Sequence, residues 1–317
     1  MRERLVPSLI ITVLMLSSGC REPGATDASS RPEPGFPPGT SGSAGPGSRI
    51  AFMSNRADPR EFKIWVIGAD GSGAHGLIGA AGSDSAPAWS PDGARIAFAR
   101  SLLPASRIFV VNADGSGEHA LTGGFLDADP TWSPDGTRLA FQRRTTGNDP
   151  GAVYLINADG SEARPLTTGP DDANPSWSPG GDAVAFQRKD NGASRIYVVN
   201  TDGSNLRAVT ADGADSVDAA WSPGGDRIAF TRSTPGGYSQ IRVLDVPRST
   251  EETLTTGRDE VDGAPAWSPD GRSIAFYRQR RNDVGEVWVM NSDGSAPRNL
   301  TLNPAIDSLP AWASVPP

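Results

Sequence analysis

The sequence predicts an all-β fold, a six-bladed β-propeller with four-stranded antiparallel blades. Three observations predict it: a tryptophan recurs at a nearly constant interval, a strand-forming triplet follows it, and two Gly-containing turns separate the strands. The intervals are 43, 45, 44, 46 and 45 residues. The recurring residues are Trp89, Trp132, Trp177, Trp221, Trp267 and Trp312. Repeats of about 40–45 residues that each hold four short strands are typical of propeller blades.

The repeat around Trp89 illustrates the four predicted strands. The first ends at the tryptophan and is reversed by S-P-D-G, where Pro presets φ and Gly accepts a positive φ. A strand containing Ile96-Ala97-Phe98 returns antiparallel, and the strand 108–111 then runs into a second tight turn, N-A-D-G. A fourth strand ends at Leu121-Thr122. Such a sheet is too small to be stable alone, so neighbouring sheets must bury each other's faces.

The two ends of the repeat region are complementary. A triplet, Ile50-Ala51-Phe52, precedes the first tryptophan, whereas Trp312 has no triplet after it. If the strand 310–312 pairs with the strand 50–52, one blade is built from both chain ends. This pairing would close the ring and leave no open sheet edge at the seam. An open β-solenoid, the competing architecture, gives no reason for complementary ends.

The repeat resembles that of the TolB β-propeller family. It reads D-x-x-P-x-W-S-P-D-G-x-x-I-A-F-x-R, continues to I-x-V-x-N-A-D-G-S and ends at L-T. The resemblance covers residues 49–313 and implies a propeller that binds protein or peptide. It is more specific for fold than for function, because one fold serves many tasks. TolB itself carries an α/β domain before its propeller. Since residues 21–48 are too few for such a domain, we expect a TolB-like protein distinct from TolB.

The first residues predict an export signal. Arg2 and Arg4 precede the apolar run 5–16, which is too short for a stable membrane span and suits residues 1–19 as a signal peptide. The segment L-S-S-G before Cys20 resembles the lipobox of bacterial lipoproteins, which implies cleavage before Cys20 and its lipidation. A plain secretory signal is the alternative. Arg21 follows the cysteine, and the absence of Asp there favours the outer membrane, facing the periplasm.

Residues 20–48 then predict a lipidated cysteine and a disordered tether. The stretch 21–48 holds six Gly, six Pro and five Ser but only one large apolar residue, Phe36. Such a composition buries too little surface to offset the entropy of ordering. Its typical reach is on the order of 30 Å. The propeller is expected over residues 49–317.

Composition excludes several classes of function. The net charge of −8 makes nucleic acid or an anionic membrane surface a poor partner for the folded part. A single cysteine permits no internal disulfide, and two histidines offer little to a metal or general-base site. No G-x-S-x-G motif occurs. We therefore predict a monomeric binding module with no catalytic residues, no metal ligands and no cofactor, attached to the membrane only through its lipid.

Acidic and basic residues recur at fixed places around each tryptophan. An Asp five residues before it is present in five repeats, and an Arg eleven residues after it is also present in five. These acids are Asp84, Asp127, Asp172, Asp262 and Asp307. The bases are Arg100, Arg143, Arg188, Arg232 and Arg278. The S-P-D-G turn brings the two places nearly opposite each other, so structural Asp–Arg pairs are the first interpretation.

Acids beyond one per repeat are the candidate site. They have no evident Arg partner in the sequence and are expected at one mouth of the channel. They are Asp129, Asp171, Asp218, Asp259 and Glu260. An acidic mouth would bind a basic segment of a partner or a cation. The tryptophans are expected to pack between sheets, and the Asp-Gly tips to form turns, since they lack the further carboxylates of a calcium loop.

Three interpretations remain open from the sequence, and the third of them is a propeller that is stabilised by a cation and has no partner of its own. The favoured one is a lipid-anchored scaffold that binds an envelope protein or peptide at the channel mouth. The alternative is a carboxylate-dependent hydrolase or lyase that acts on envelope glycans or peptides at the same mouth, because paired carboxylates are plentiful.

Overall fold

A computed structural model describes residues 48–313 apart from positions 125, 191 and 212. All regular structure in that part of the chain is β-strand. In chain order the first twelve strands are β1 (Arg49–Asp58), β2 (Glu61–Gly68), β3 (His75–Gly76), β4 (Ser83–Trp89), β5 (Arg95–Leu102), β6 (Ala105–Asn112), β7 (His119–Ala120), β8 (Leu126–Trp132), β9 (Arg138–Arg144), β10 (Ala152–Asn157), β11 (Arg164–Pro165) and β12 (Asp172–Trp177). The others are β13 (Ala183–Asp190), β14 (Ala193–Asn200), β15 (Arg207–Ala208), β16 (Ser216–Trp221), β17 (Arg227–Thr234), β18 (Tyr238–Asp245), β19 (Thr250–Thr253), β20 (Glu260–Trp267), β21 (Ser273–Arg280), β22 (Glu286–Asn291), β23 (Arg298–Asn299) and β24 (Asp307–Trp312).

The strands pair as antiparallel groups of four. We call them unit 1 (β24, β1, β2, β3), unit 2 (β4–β7), unit 3 (β8–β11), unit 4 (β12–β15), unit 5 (β16–β19) and unit 6 (β20–β23). Single parallel pairs, Ser106 with Leu126 and Ser239 with Val261, join unit 2 to unit 3 and unit 5 to unit 6. The four-stranded antiparallel sheets expected from the repeat are therefore present.

The two ends of the described region pair with each other. Ile50 lies opposite Trp312 and Ala51 opposite Ala311 in the antiparallel β1–β24 ladder. The strand that ends at the recurring tryptophan contacts its counterpart in the next unit throughout the series, and β24 contacts β4. Unit 1 thus combines strands from both ends of the repeat region.

Local sequence explains both turns of the repeat. In the S-P-D-G turn, Asp92 accepts a hydrogen bond from the Ser90 hydroxyl at 2.5 Å, and Gly93 adopts φ 66°. In the N-A-D-G turn, Asp114 accepts hydrogen bonds from the N–H and the hydroxyl of Ser116, at 2.9 and 2.6 Å. These serine contacts lower the pKa of Asp114. The Asp-Gly tips are thus occupied by turn chemistry, as the sequence indicated.

The L-T motif completes the short fourth strand. Thr122 Oγ1 accepts the N–H of Ile108 at 3.0 Å, and Thr167 does the same for Val153 at 3.0 Å. Units 4, 5 and 6 repeat this contact. The hydroxyl satisfies a buried backbone donor of the third strand that a fourth strand of only a few residues leaves unpaired.

The core lies between neighbouring units. Each tryptophan of the repeat packs in a cluster with side chains from the adjoining unit, as Trp132 does with Val110 and Leu139. The Phe of every triplet is fully buried, for example Phe141. An Arg from the preceding unit covers several tryptophan rings, such as Arg95 at 4.6 Å from the Trp132 centroid. The tryptophans are therefore core residues, in agreement with the sequence interpretation.

Connections between strands alternate between two ends of each unit, because neighbouring strands are antiparallel. One end carries the S-P-D-G and N-A-D-G turns. The other carries the link from the second to the third strand and the loop that leads into the tryptophan strand of the next unit. We call the latter end the hairpin face.

Candidate functional site

One position of the repeat, three residues before the tryptophan, has an unusual backbone. Its six occupants all adopt positive φ, between 49° and 56°. They are Ala86, Asp129, Asn174, Asp218, Ala264 and Leu309. The register of each tryptophan strand shifts at this place, as in a β-bulge. In five of the six strands the next residue is proline, which has no backbone N–H to donate. The β-ladder loses no hydrogen bond there, because the bulge leaves this residue without a cross-strand partner.

These six residues line a single cavity of about 370 Å³. The residue that follows each of them and several of the recurring tryptophans complete its wall. A bulge at each strand thus turns one side chain per unit towards a shared space. Bulges commonly re-aim side chains in this way next to functional sites.

The cavity wall is divided in chemistry. Units 3, 4 and 5 contribute Asp129, Asn174 and Asp218, which we call the polar arc. Units 6, 1 and 2 contribute the apolar arc, Ala264, Leu309 and Ala86. Because each arc comes from consecutive units, polar and apolar groups occupy opposite sides.

Hydrogen bonds connect the polar arc across units. Asn174 Nδ2 donates to Asp218 Oδ1 at 2.6 Å, and the Thr231 hydroxyl donates to Asp218 Oδ2 at 3.1 Å. The backbone N–H of Ala264 also donates to Asp218 Oδ2, at 3.4 Å, and the backbone N–H of Asn174 acts to lower the pKa of Asp129. The arc is therefore a preorganised set of acceptors with its acids held in place.

Burial in the cavity wall alters the ionisation of both acids. Desolvation raises the pKa of Asp129 to about 7, assisted by the negative charge of Asp218 and opposed by Arg144. Desolvation also raises the pKa of Asp218, against the stabilising hydrogen bonds from Thr231 and Asn174. Perturbed carboxyls in a cavity are characteristic of binding or catalytic sites.

The pKa of Asp129 predicts a pH-dependent stability. A pKa raised above the unfolded value means that stability present below about pH 4 is lost as the pH rises through 7. We expect Asp129→Asn to be more stable than wild type at pH 8, by about 1–2 kcal/mol after solvent screening. Below pH 4 the two proteins should have the same free energy of unfolding. Urea unfolding across this pH range measures the difference.

Asp135 supplies a control of opposite sign. Hydrogen bonds from Ser133 and Thr137 lower the pKa of Asp135 to about 2. Asp135→Asn should therefore lower the free energy of unfolding at neutral pH. This loss relative to wild type should become smaller as the pH falls through the acidic range. If the difference in free energy of unfolding between wild type and Asp129→Asn stays constant from pH 4 to 8, Asp129 does not titrate in this range and the prediction is wrong.

The five acids predicted for the channel mouth separate in the structure. Asp129 and Asp218 line the cavity, whereas Asp171, Asp259 and Glu260 are not part of its wall. The expectation that these acids lack an Arg partner is wrong for two of them. Asp171 accepts from Arg144 at 2.8 Å, and Glu260 pairs with Arg278 at 3.1 Å and with Arg280 at 3.0 Å. Asp259 is exposed.

Those pairings arise across neighbouring loops and strands. Asp171 also accepts the N–H of Gly151 from the hairpin of unit 3 at 2.9 Å, and Glu260 lies opposite Arg280 in the β20–β21 ladder. Sequence reasoning missed Asn174 and the apolar arc. The signal that could have found them is the fixed offset of three residues before each tryptophan.

The Asp–Arg interpretation of the repeat is confirmed in four units. Asp172 is fully buried and receives Arg188 Nε at 2.6 Å and Nη2 at 2.8 Å. Asp84 with Arg100, Asp127 with Arg143 and Asp262 with Arg278 repeat this two-pronged contact. In unit 1 the Arg position holds Ser54, and Arg56 pairs with Asp307 instead, at 2.6 Å.

Unit 5 departs from this pattern at the acid. Ser216 replaces the Asp, and Arg232 turns to Glu251 on the outermost strand, at 2.9 Å. Its N-A-D-G turn is also replaced: Asp245 accepts the N–H of Arg248 at 2.9 Å. The Arg therefore keeps a carboxylate partner in every unit where it occurs.

The repeat region matches a known sequence family. The sequence model of the TolB beta propeller domain matches residues 47–263, more than half of the chain. The chain belongs to the TolB beta propeller domain family. Cys20, the predicted signal peptide and all of the predicted tether except Ser48 lie outside the described residues.

Solved structures agree with the family in fold. TolB from Acinetobacter baumannii superposes with a TM-score of 0.73 at 24% identity, over 84% of this TolB-family chain and 66% of that protein. A TolB described as putative, from Agrobacterium tumefaciens, gives 0.65 at 22% identity over 80% and 88%. An oligogalacturonate lyase in complex with manganese gives 0.55 at 17% identity over 79% and 73%. The chain thus spans less than two thirds of the Acinetobacter protein.

A search of curated protein sequences found no significant match. Within residues 48–313, as described, no helix has the length and hydropathy of a membrane span. The same residues contain no group of three or more His, Cys, Asp or Glu side chains arranged to hold a metal ion.

Proposed function

We propose that this TolB-family chain is a six-bladed propeller, closed by its own termini, that serves as an exported, lipid-anchored scaffold for an envelope protein or peptide. The observation that carries the proposal is the shared cavity, to which each of the six units brings one bulged residue.

The ring closure is supported by pairing and contacts. The β1–β24 ladder joins the two ends of the repeat region, and the six tryptophan strands contact one another in sequence from β4 to β24 and back to β4. A closed series of small sheets leaves no unprotected inner edge. Units 1 to 6 would then be the blades, with the cavity on the ring axis.

Binding is supported by the chemistry of the cavity. Partly buried carboxylates on one side and apolar groups on the other suit a partner segment that offers a cation and aliphatic surface. A concave site with a few convergent polar groups is the usual form of a ligand pocket. Family membership is consistent with this assignment, since the resemblance of the repeat to TolB implies a propeller that binds protein or peptide.

Export and anchoring rest on the N-terminal sequence. The apolar run 5–16, the L-S-S-G segment and Cys20 resemble a lipoprotein signal, and the composition of residues 21–48 fits the predicted tether. The protein would be attached to the outer membrane, face the periplasm and act as a monomer.

A second candidate is a carboxylate-dependent hydrolase or lyase. The observation in its favour is the pair Asp129 and Asp218 in one cavity, both with raised pKa. Carboxyls whose environments shift their pKa towards neutrality can act in acid–base catalysis.

Site-specific photocrosslinking in intact cells tests the scaffold. A photoreactive residue at Pro223, an exposed residue of the cavity wall, should capture an envelope protein, whereas one at Leu103, 67% exposed on the hairpin face, should not. Adding Asp129→Asn and Asp218→Asn should reduce the capture at Pro223 at least about tenfold, since together they remove the carboxyl groups of the cavity wall. Cys20→Ser should release the protein from the membrane fraction.

The same variants separate the two candidates. Purified wild-type protein is incubated with envelope glycans and with peptides, and products are separated by mass. Turnover that disappears in Asp129→Asn would establish the enzyme and overturn the scaffold. Charge-dependent capture without turnover supports the scaffold.

A further inference from the structure

One tryptophan of the repeat is more exposed than the others. Trp221 is half-buried, whereas its five equivalents are buried. The buried ones are Trp89, Trp132, Trp177, Trp267 and Trp312. Trp221 also belongs to the cavity wall. Part of this residue is therefore accessible to a ligand that enters the cavity.

An arginine covers most of the buried tryptophan rings but is missing from Trp221. In four units the residue before the strand-forming triplet is an arginine, and its Cζ lies 4.6–5.1 Å from the ring centroid of the next unit's tryptophan. These residues are Arg49, Arg95, Arg138 and Arg227. Unit 4 has Ala183 at this place, and no arginine of the described chain lies over Trp221 instead. Unit 6 has Ser273 there, yet Trp312 of the next unit is buried, so Trp221 alone combines a missing arginine with an accessible surface.

Unit 5 shows how an arginine is held at this place. Arg227 lies over Trp267, with 4.9 Å between its Cζ and the ring centroid. Its Nε is 3.9 Å from Oδ1 of Asp226, the residue that directly precedes it in the turn sequence S-P-G-G-D. The guanidinium thus meets an aromatic face and a carboxylate at the same time.

Unit 4 has the same turn without the arginine. Its sequence is also S-P-G-G-D, and Asp182 directly precedes Ala183. Asp182 is exposed and accepts a hydrogen bond from the Ser178 hydroxyl at 2.7 Å. Within the described chain no lysine or arginine forms an ion pair with it. Trp221 and Asp182 therefore repeat the two groups that hold Arg227 in unit 5, with no cation of this chain to occupy them.

The cavity reaches the S-P turns at the same two units. Its wall includes Pro179 of unit 4 and both Ser222 and Pro223 of unit 5. No other S-P turn in the described part of the chain contributes to the wall. Both prolines are exposed, so this part of the wall borders solvent. The extent of the cavity and the uncovered Trp221 are separate observations that indicate the same place.

We infer that Trp221 and Asp182 form an arginine-binding subsite, in which the guanidinium of a partner's arginine takes the place that Arg227 fills in unit 5. This inference rests on the proposed function and names one residue of the partner segment. The guanidinium stacks on the Trp221 ring and pairs with the Asp182 carboxylate. Arginine is preferred to lysine, because its planar group can stack on a ring and donate to a carboxylate at once.

The NMR signals of the indole N–H groups test the subsite directly. The protein is isotopically labelled at its eight tryptophans, and Trp221→Phe identifies the signal of Trp221. The probe is the acetylated peptide amide Gly-Arg-Gly, and companion peptides carry citrulline or lysine in place of arginine. We expect the arginine peptide to shift the Trp221 signal in a saturable way. Citrulline keeps the shape but lacks the charge, so it should bind at least about fivefold more weakly.

Ala183→Arg fills the subsite from within the chain. Four units already carry arginine at this place, so we expect the variant to melt no lower than wild type. It should bind the arginine peptide at least about tenfold more weakly, because a tethered arginine competes at a high effective concentration. Asp182→Asn should weaken binding about threefold without filling the space. Asp226→Asn is the matched control and should leave binding unchanged, since Arg227 already engages that carboxylate.

The outcomes distinguish this inference from the proposed function. If the arginine peptide leaves the Trp221 signal unchanged, or binds wild type, Ala183→Arg and Asp182→Asn equally well, the arginine subsite is overturned. The scaffold is then decided by crosslinking at Pro223 alone. If crosslinking captures no partner while the peptide binds as described, the arginine subsite stands and the envelope-protein scaffold is wrong.

Discussion

Removal of residues 310–317 is expected to unfold the protein or to lower its free energy of unfolding by at least about 5 kcal/mol. The deletion removes Trp312, which packs against Ile50 and Phe52, together with part of the ladder to β1. Loss of a buried tryptophan alone costs about 3–5 kcal/mol. The remaining edge of β1 would also expose backbone groups that pair in the intact protein.

Thermal and urea unfolding of two truncated chains measures this effect. A chain that ends at residue 313 keeps β24 and is the control, expected to match the full-length protein. The chain that ends at residue 309 should melt at least about 10 °C lower, or fail to fold. Equal melting temperatures for the two truncations would show that β24 does not hold the ends together, and the proposed ring would be wrong.

Breaking one buried ion pair should be nearly as damaging. Arg188→Met leaves the carboxylate of Asp172, which is fully buried, without its two guanidinium donors. Removal of one partner from a buried pair typically costs about 3–5 kcal/mol, because the remaining charge is neither solvated nor neutralised. The free energy of urea unfolding at neutral pH gives the loss.

A double variant provides the control for that loss. Asp172→Ser with Arg188→Met removes both charges, and unit 5 already carries serine at the Asp position, as Ser216. We expect the double variant to recover at least about half of the stability lost by Arg188→Met. Losses that simply add would mean that the packing of each side chain, and not the uncompensated charge, causes the destabilisation.

Features that repeat within one unit could be predicted from the sequence. The pairing of Asp172 with Arg188 follows from their offsets to Trp177, since the S-P-G-G turn fixes which residues of the first two strands lie opposite each other. The Asp-Gly tips likewise follow from local turn chemistry, as Asp114 and its serine partner show. Short sequence separation and regular strand geometry make such contacts readable without a structure.

The candidate site could be predicted only in part. Asp129 and Asp218 were identified as acids in excess of one per repeat, and both lie in the cavity wall. The same reasoning selected Asp171 and Glu260, which pair with Arg144 and Arg280. Counting acids and bases by their offset from one tryptophan cannot identify a partner from a neighbouring loop or from outside the repeated positions.

The sequence by itself determined the repeating unit, its four strands, its turns and the complementary ends, because each depends on residues that are close in the chain or identical in every repeat. Only the tertiary structure decided that the bulge before each tryptophan aims one side chain into a common cavity, and that polar and apolar residues fall on opposite sides of it. The physical reason is that equivalent residues of different units, more than 40 positions apart in sequence, meet only when the units pack against one another.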